Sequence, residues 1–358
     1  MSTFLSGIGV VLGLELRQRV RGIAWYVLLG LFAVLVAVVT GAVWLITAGF
    51  SSDDFGGGLY STIIYFVLLL GTLVAPALSG NAINGDRDAG TLATTQVTLI
   101  TTGQLILGKF FAAWITALAF LAVSLPFLLV AFAAGGLEWD TILVSTLVLA
   151  LELGVVAAVG VGLSGILSKP LFSIVATYLV VAALSVGTLI AFGLAGLATQ
   201  TEVRSTYIGI EWPSDGSDPG DDPTCLPPQV TTYQQPRFDY VWGILAINPY
   251  VVLADASPGS FDENGNPRDV FTAIKSGARG AQIAPAAEQV NDECAYYSDP
   301  SGREPFEYKT SEEIVDETVP SWFVGLTAHL VLGGGLLAWA WARTNTPART
   351  LTKGSRIA

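Results

Sequence analysis

Charged side chains are scarce in this sequence. They make up 13% of its 358 residues, whereas apolar residues make up 52%. A soluble domain carries about 25% charged residues, so this chain lacks the charge that a surface wholly exposed to water needs. Its apolar residues are also grouped in long blocks, and about 20 such residues cross the hydrocarbon core of a bilayer as a helix. The composition therefore excludes an ordinary soluble protein and indicates an integral membrane protein.

Residues that commonly carry chemistry are also few. The sequence holds one histidine, His329, and two cysteines, Cys225 and Cys294. A single imidazole without a neighbouring cysteine or second histidine does not make a zinc site, and no carboxylate stands at helical spacing from His329 to complete a catalytic triad. The phosphate-binding pattern G-x-x-x-x-G-K-[ST] does not occur. We therefore expect no metal site, no enzyme activity and no ATP hydrolysis from this chain alone, and nothing suggests nucleic-acid binding.

One glycine-rich stretch imitates a nucleotide-binding motif. Gly160–Gly165 (GVGLSG) fits the dinucleotide pattern G-x-G-x-x-G, which needs a strand before it and a helix after it. Here the stretch lies near the end of a long apolar block. We therefore predict that its small residues let two helices approach closely. Asp262–Asn266 (DENGN) resembles a calcium-binding loop only faintly, and we interpret it as part of a solvated acidic surface.

Six apolar blocks are long enough to span a bilayer, which predicts an all-α membrane protein. Backbone groups in lipid must be satisfied within the segment, and these blocks are too long and too uniformly apolar for barrel strands. The predicted spans are Trp25–Ala48, Leu59–Gly80, Leu105–Ala134, Thr141–Leu167, Pro170–Leu197 and Ser321–Trp341. Before them, residues 1–24 carry three arginines after an apolar stretch, which predicts an amphipathic helix lying at the membrane interface.

The distribution of basic residues predicts the orientation, because lysine and arginine mark the cytoplasmic side. They occur in the N-terminal segment, in the links after spans two and four, and in the tail, residues 343–358. The opposite links, residues 51–58 and 135–140, contain none. We predict a multi-pass protein of the cytoplasmic membrane with both termini in the cytoplasm and residues 198–320, the inter-span segment, outside. This segment holds 21 acidic and seven basic residues, so it carries the negative charge of the chain.

The inter-span segment is long enough for a small extracellular domain of mixed structure. Within it, residues 240–256 are apolar but too short to cross a membrane comfortably, and the Asn248-Pro249 pair would break them into two halves. Two interpretations stay open. One is a re-entrant hairpin dipping into the outer leaflet, with Asn248, Pro249 and Tyr250 as its central element. The other is a buried helix of the outer domain.

Both cysteines, Cys225 and Cys294, lie in the inter-span segment. An oxidising exterior permits a disulfide between them. By loop-closure entropy such a bond across about 70 residues contributes roughly 4 kcal/mol. The alternative is two free thiols, which non-reducing mass spectrometry of the purified protein would reveal.

Two ionisable side chains fall inside predicted spans, Glu152 in span four and His329 in span six. Such groups are costly in a membrane and normally face the protein interior or a wet cavity. Each has two interpretations: it lines the translocation path or holds a proton, or it makes an interhelical hydrogen bond that fixes packing. For His329 we favour the packing role.

The link between spans two and three, residues 81–104, carries the most distinctive sequence. It reads Asp86-Arg-Asp-Ala-Gly-Thr-Leu92, and Gly108-Lys109 opens the third span. This resembles the E-R-E-x-G-T-L pattern, followed by G-K, of membrane subunits of type-2 ABC exporters. The interfacial stretch Glu15–Trp25, the exit of span four at Gly160–Ser168 and the Asn248-Pro249-Tyr250 element are similar to features of the same family.

The resemblance covers the membrane part, about two thirds of the chain. It departs from the family pattern in having Asp at both Glu positions, no proline in the stretch after G-T-L, and a longer inter-span segment. It implies a permease subunit that pairs with a second membrane subunit in the lipid bilayer and with two ATPase subunits, which bind ATP and Mg. The link would be the coupling helix that contacts the ATPase. Its ATPase-coupling residues would be Asp86, Arg87, Asp88, Gly90, Thr91 and Leu92.

Two other classes of function compete with the exporter. A secondary carrier or channel usually shows internal repeats and several ionisable groups near the midplane, and the sequence has neither. A membrane sensor or scaffold would use the inter-span segment as an extracellular ligand-binding domain. Substrate flux that depends on nucleotide separates an exporter from both. On the exporter hypothesis, Arg87→Glu uncouples transport from ATP hydrolysis without unfolding the protein.

Overall fold

The computed structural model of the protein describes residues 2–47, 55–90, 100–211, 224–298 and 309–345. Within these ranges six helices are long and apolar enough to cross a membrane, as the sequence predicts. The first half of the chain forms α1 (Ser2–Arg21), α2 (Ile23–Thr47), α3 (Gly56–Ser79), α4 (Asn84–Asp88), α5 (Thr102–Ala133), α6 (Trp139–Ile166) and α7 (Pro170–Ala198). The sixth long helix, α13 (Trp322–Thr344), follows the inter-span segment.

Local sequence explains where the longest helix begins. Thr101 is the N-cap of α5: its hydroxyl accepts a hydrogen bond from the Gln104 backbone N–H, and the Gln104 side chain accepts one from the Thr101 N–H. This reciprocal capping box satisfies two backbone donors that the helix itself leaves open. The helix therefore starts a turn earlier than the apolar block at Leu105 predicts.

Helix α6 is the central element of the bundle, and most of its side chains are buried against α3, α5 and α13. Its glycines permit close approach. A Cβ at Gly162 would lie 2.7 Å from the Leu336 Cβ, and a Cβ at Gly165 would lie 2.6 Å from the Ala340 Cβ. The structure thus confirms that the G-x-G-x-x-G stretch serves helix packing.

Helix α7 differs from α6 because none of its apolar side chains is fully buried and most of them are exposed. It also contains a π-helical turn, Ala183–Gly187. Such turns interrupt the regular hydrogen-bond ladder and often occur at functional sites.

The inter-span segment combines short strands and helices. A three-stranded sheet has β1 (Gln200–Ile208) in the middle, antiparallel to β4 (Gln229–Pro236) and parallel to β5 (Glu288–Asp292), with Val203 opposite Tyr233 and Arg204 opposite Glu288. A second pair joins β2 (Ile210–Glu211) to β3 (Thr224–Cys225). The helices are α8 (Gly243–Ala246), α9 (Pro249–Ala256), α10 (Val270–Gly280), α11 (Glu293–Ser298) and α12 (Ser311–Glu317).

A disulfide joins Cys225 at the end of β3 to Cys294 in α11, with the two Cα atoms 5.5 Å apart. The disulfide interpretation of the sequence is therefore confirmed, and the free-thiol alternative is wrong. No free cysteine is left in the chain.

Candidate functional sites: two interhelical junctions

The first junction surrounds the short helix α4 and centres on Lys109. The ammonium of Lys109 forms ion pairs with Glu15 of α1 and, at 2.8 Å, with Asp86 of α4. Only 2% of the Lys109 side chain is exposed. A buried ammonium needs charged partners to offset its lost hydration, and the two carboxylates supply them. These three side chains tie the N-terminal helix, the link and the third span together.

Arg87 ties the link to the fourth span. Its guanidinium donates hydrogen bonds to the side-chain oxygen of Asn84 at 2.9 Å and to the backbone carbonyl of Leu167 at 3.1 Å. Leu167 is the C-cap of α6. Helix C-termini present unsatisfied carbonyls and a partial negative charge, so a cation there is favourable.

Three hydroxyl and amide groups complete the attachment of α4. Ser164 of α6 accepts hydrogen bonds from the backbone N–H groups of Ile83 and Asn84 at 2.9 and 3.0 Å. The Asn84 side chain donates to the Ser173 hydroxyl of α7 at 3.1 Å, and that hydroxyl donates to the Gly80 carbonyl at 2.6 Å. We call the contacts of α4 with α1, α5, α6 and α7 the link junction.

The remaining predicted coupling residues have a different environment. Asp88 and Gly90 are exposed, and Gly90 has a φ of 70°, a left-handed conformation that favours glycine. Thr91 and Leu92 lie outside the described residues. Among the coupling candidates that the structure describes, Asp86 and Arg87 are half-buried and bind neighbouring helices, whereas Asp88 and Gly90 are exposed.

The second junction forms where the chain turns between α8 and α9. Pro249 is the first residue of α9 and Asn248 is its N-cap, whose side-chain oxygen accepts from the Tyr250 N–H at 2.9 Å. The Asn248 amide nitrogen donates to the Ser185 carbonyl at 2.7 Å and to the Thr188 hydroxyl at 2.9 Å. Ser185 belongs to the π-helical turn of α7, so the Asn248 side chain supplies a donor where that helix is irregular.

The same turn contacts three other long helices. The Tyr65 hydroxyl of α3 donates to the Tyr250 carbonyl at 3.0 Å. His329 of α13 places Nε2 2.8 Å from the Ile247 carbonyl and Nδ1 2.9 Å from Oε1 of Glu152 in α6. We call the residues 247–250 and these partners the bend junction.

Glu152 and His329, the two ionisable residues inside the predicted spans, form a hydrogen bond with each other between α6 and α13. No carboxylate stands at helical spacing from His329, because its partner is 177 positions away in the sequence and meets it across two packed helices. Both side chains are almost completely buried. Neither is among the described residues that line the apolar cavity of about 610 Å³ between α3, α7 and the bend junction.

Small residues and charges fix α13 beside the bend junction. Gly325 of α13 faces the Ala246 carbonyl so closely that a Cβ there would overlap the oxygen. At the start of α13, Asp255 of α9 accepts hydrogen bonds from the Ser321 N–H at 2.5 Å and the Trp322 N–H at 2.9 Å. Its other oxygen binds the Arg279 guanidinium at 2.5 Å.

Lys275 of α10 is buried next to this cluster, and its ammonium donates a hydrogen bond to the Ser257 carbonyl. Burial, together with the nearby charge of Arg279, lowers the pKa of Lys275 to about 8. Burial also raises the pKa of Asp269, the N-cap of α10, above its ordinary value.

Within the described ranges, no group of three or more His, Cys, Asp or Glu side chains is placed to hold a metal ion. Asp262 accepts hydrogen bonds from the backbone N–H groups of Asn264 and Asn266 at 2.9 and 2.8 Å. Comparison with known proteins gives no further assignment: no protein-family model matches the chain, and no curated protein sequence matches it.

Proposed function

We propose that the chain is the membrane-spanning permease subunit of an ATP-driven ABC exporter of the cytoplasmic membrane. Two separate ATPase subunits bind and hydrolyse ATP with Mg, and a second membrane subunit, identical or different, completes the pore. In this proposal the basic end of the bundle, with both termini, faces the cytoplasm and the inter-span segment lies outside.

The link junction is the observation that supports the proposal best. A coupling element must be reachable from outside the protein and firmly attached inside it. Asp88 and Gly90 are exposed, whereas Asp86 and Arg87 connect the same short helix to α1, α5 and α6. A displacement of α4 by the ATPase would therefore act on several helices together, as rigid-body transitions require.

The exposed face of α7 supports the proposal that a second membrane subunit is present. Its apolar side chains are largely unpacked within one chain, and the apolar cavity lies along α3 and α7. The proposal places the partner subunit and the substrate path on this side. A lone carrier or channel would instead enclose its path within a single chain, and a sensor would need a ligand in the inter-span segment.

Affinity purification of the full chain from its native membranes in mild detergent tests the proposal. The expected result is a co-purified ATPase that contains a phosphate-binding loop, in a ratio near one to one. Asp88→Arg reverses an exposed charge on the link and should release that ATPase, whereas Glu138→Arg, exposed before α6 at the other end of the bundle, should retain it. Substrate flux by the chain alone in liposomes would refute the exporter and favour a carrier or channel.

A further inference from the structure

We infer that Glu152 and His329 form a single-proton site in the middle of the helical bundle, and that release of this proton loosens the contact between α6 and α13. The inference concerns the chain itself and does not rest on the exporter proposal.

Both ring nitrogens of His329 face oxygen atoms. The Ile247 carbonyl, 2.8 Å from Nε2, only accepts hydrogen bonds, so Nε2 carries a hydrogen. The contact of 2.9 Å between Nδ1 and Oε1 of Glu152 needs a second hydrogen. It resides either on the ring, giving an ion pair, or on the carboxyl group, giving a neutral pair. In both forms the pair holds one proton more than a neutral imidazole beside a carboxylate.

Release of that proton to water removes the hydrogen bond. The N–H or O–H bond breaks, and its two electrons stay on the nitrogen or oxygen atom. A lone pair of Nδ1 then faces a carboxylate oxygen of Glu152. The remaining negative charge sits where Glu152 is 2% and His329 1% exposed. A buried charge without a partner is strongly unfavourable, so α6 and α13 must separate here or admit water.

The site lies deep in the protein. Glu152 stands halfway along the 28 residues of α6. The other charged side chains on the described elements that pack against α13 are engaged elsewhere or lie far along their helices. Lys109 belongs to the link junction, Asp255 binds Arg279, Asp140 accepts from the next backbone N–H, and Arg343 stands in the last turn of α13.

The contact between α6 and α13 is the element that such a change would loosen. The bend junction stays on α13, because the Nε2–H of His329 still donates to the Ile247 carbonyl and Asp255 of α9 still binds the start of α13. With the proton bound, the bend, α6 and α13 form one connected unit. Without it, the bend also keeps its bonds to α3 and α7 through Tyr250 and Asn248, whereas the hydrogen bond between His329 of α13 and Glu152 of α6 is lost.

Hydrogen–deuterium exchange of the full chain in lipid nanodiscs, from about pH 5 to about pH 10, tests the inference. Rates are corrected for the intrinsic pH dependence of exchange. All proteins carry Lys275→Met, because Lys275 of the adjoining α10 also titrates in this range. We expect protection of the segments of α6 and α13 around Glu152 and His329 to fall at least tenfold as the pH rises, with the slope of one released proton.

Glu152→Gln is the matched variant. Its amide donates to a neutral His329 at every pH, so the fall in protection should disappear. Glu138→Gln removes the same charge at an exposed position and should keep the fall. If Glu152→Gln does not fold, His329→Gln takes its place, because its amide keeps a hydrogen for Glu152 at every pH. Constant protection in the parent protein, or an unchanged fall in the Gln variant, would overturn the inference.

Discussion

The link junction and the bend junction both attach short helices to the long helices of the bundle, but they use different chemistry. At the link junction an ammonium, two carboxylates and a guanidinium hold α4 to the bundle. At the bend junction an amide, a carbonyl, a tyrosine hydroxyl and the Glu152–His329 pair connect α8 and α9 to four long helices. The first lies at the ends of helices and the second in the bundle interior.

This difference follows from the cost of charge at each place. At the link junction Glu15 and Asp86 stay 19% and 32% exposed and keep part of their hydration, so these charges can be maintained there and offset the buried Lys109. Arg87 gains from the C-terminal dipole of α6. Inside the bundle a net charge is far more costly, so the bend junction uses neutral dipoles and one pair that shares a proton. The comparison predicts that the link junction depends on charge, whereas the bend junction depends on shape and proton content.

Removing the central charge of the link junction should have the largest effect. Lys109→Met removes the ammonium that forms ion pairs with both Glu15 and Asp86. Breaking a buried ion pair typically costs 3–5 kcal/mol, and we expect the free energy of unfolding in detergent to fall by about 4 kcal/mol. Lys169→Met, at an exposed position between α6 and α7, is the control and should change little. A loss of less than about 1 kcal/mol at Lys109 would argue against a charge-based junction.

Lys275 is buried next to the cluster that holds the start of α13, so its effect on the free energy of unfolding can be tested by changing the pH. Its pKa is about 8 in the folded protein, below the ordinary value of 10.5, so between these values the unfolded chain binds more protons. Stability should therefore rise with pH from about 8 to about 10.5, by up to about 3 kcal/mol. Unfolding experiments across this range should show the rise in the wild type. Lys275→Met should not show it; a rise of equal size there would exclude Lys275 as the source.

Close packing at the bend junction should be sensitive to one methyl group. Gly325→Ala forces a Cβ against the Ala246 carbonyl, and overpacking of this kind costs about 2 kcal/mol. Gly335→Ala lies on the same helix with open space around it and provides the matched control. Thermal unfolding of both variants measures the difference, and equal stabilities would mean that the Ala246 carbonyl does not limit the space at position 325.

Arg87 should have the smallest effect on stability. Arg87→Gln loses the charged hydrogen bond to the Leu167 carbonyl at a half-buried site, which we expect to cost about 1 kcal/mol. Arg17→Gln, exposed on α1, is the comparison. On the proposed function, Arg87→Gln also lowers the transport obtained per ATP hydrolysed, and Arg17→Gln does not. A loss of more than about 3 kcal/mol in the free energy of unfolding would mean that Arg87 acts mainly in stabilising the fold.

Some of this organisation follows directly from the sequence. Runs such as Ile23–Thr47 are long and apolar enough to predict membrane-spanning helices from the sequence alone. The disulfide required no choice of partner because the chain has two cysteines. The turn before Pro249 is also local, since proline cannot continue a helix from the preceding residues.

Other features depend on packing that no single segment encodes. Glu152 and His329 meet only because α6 and α13 lie side by side, and Lys109 finds Glu15 only because α1 folds back along α5. The sheet also follows poorly from the sequence, because the β4 side chains are largely polar and exposed, without alternation of apolar residues. Its run of valine, threonine and tyrosine was the available signal for a strand.

The proposal that an ATPase acts on the link junction is tested most directly by cross-linking. Because Cys225 and Cys294 are joined in the disulfide, Asp88→Cys introduces the sole free thiol of the chain. A short thiol-to-amine cross-linker applied in native membranes should join Asp88→Cys to an ATPase subunit, while Glu138→Cys at the other end of the bundle should give no such product. An ATPase joined to Glu138→Cys, or no ATPase joined to Asp88→Cys, would contradict the account.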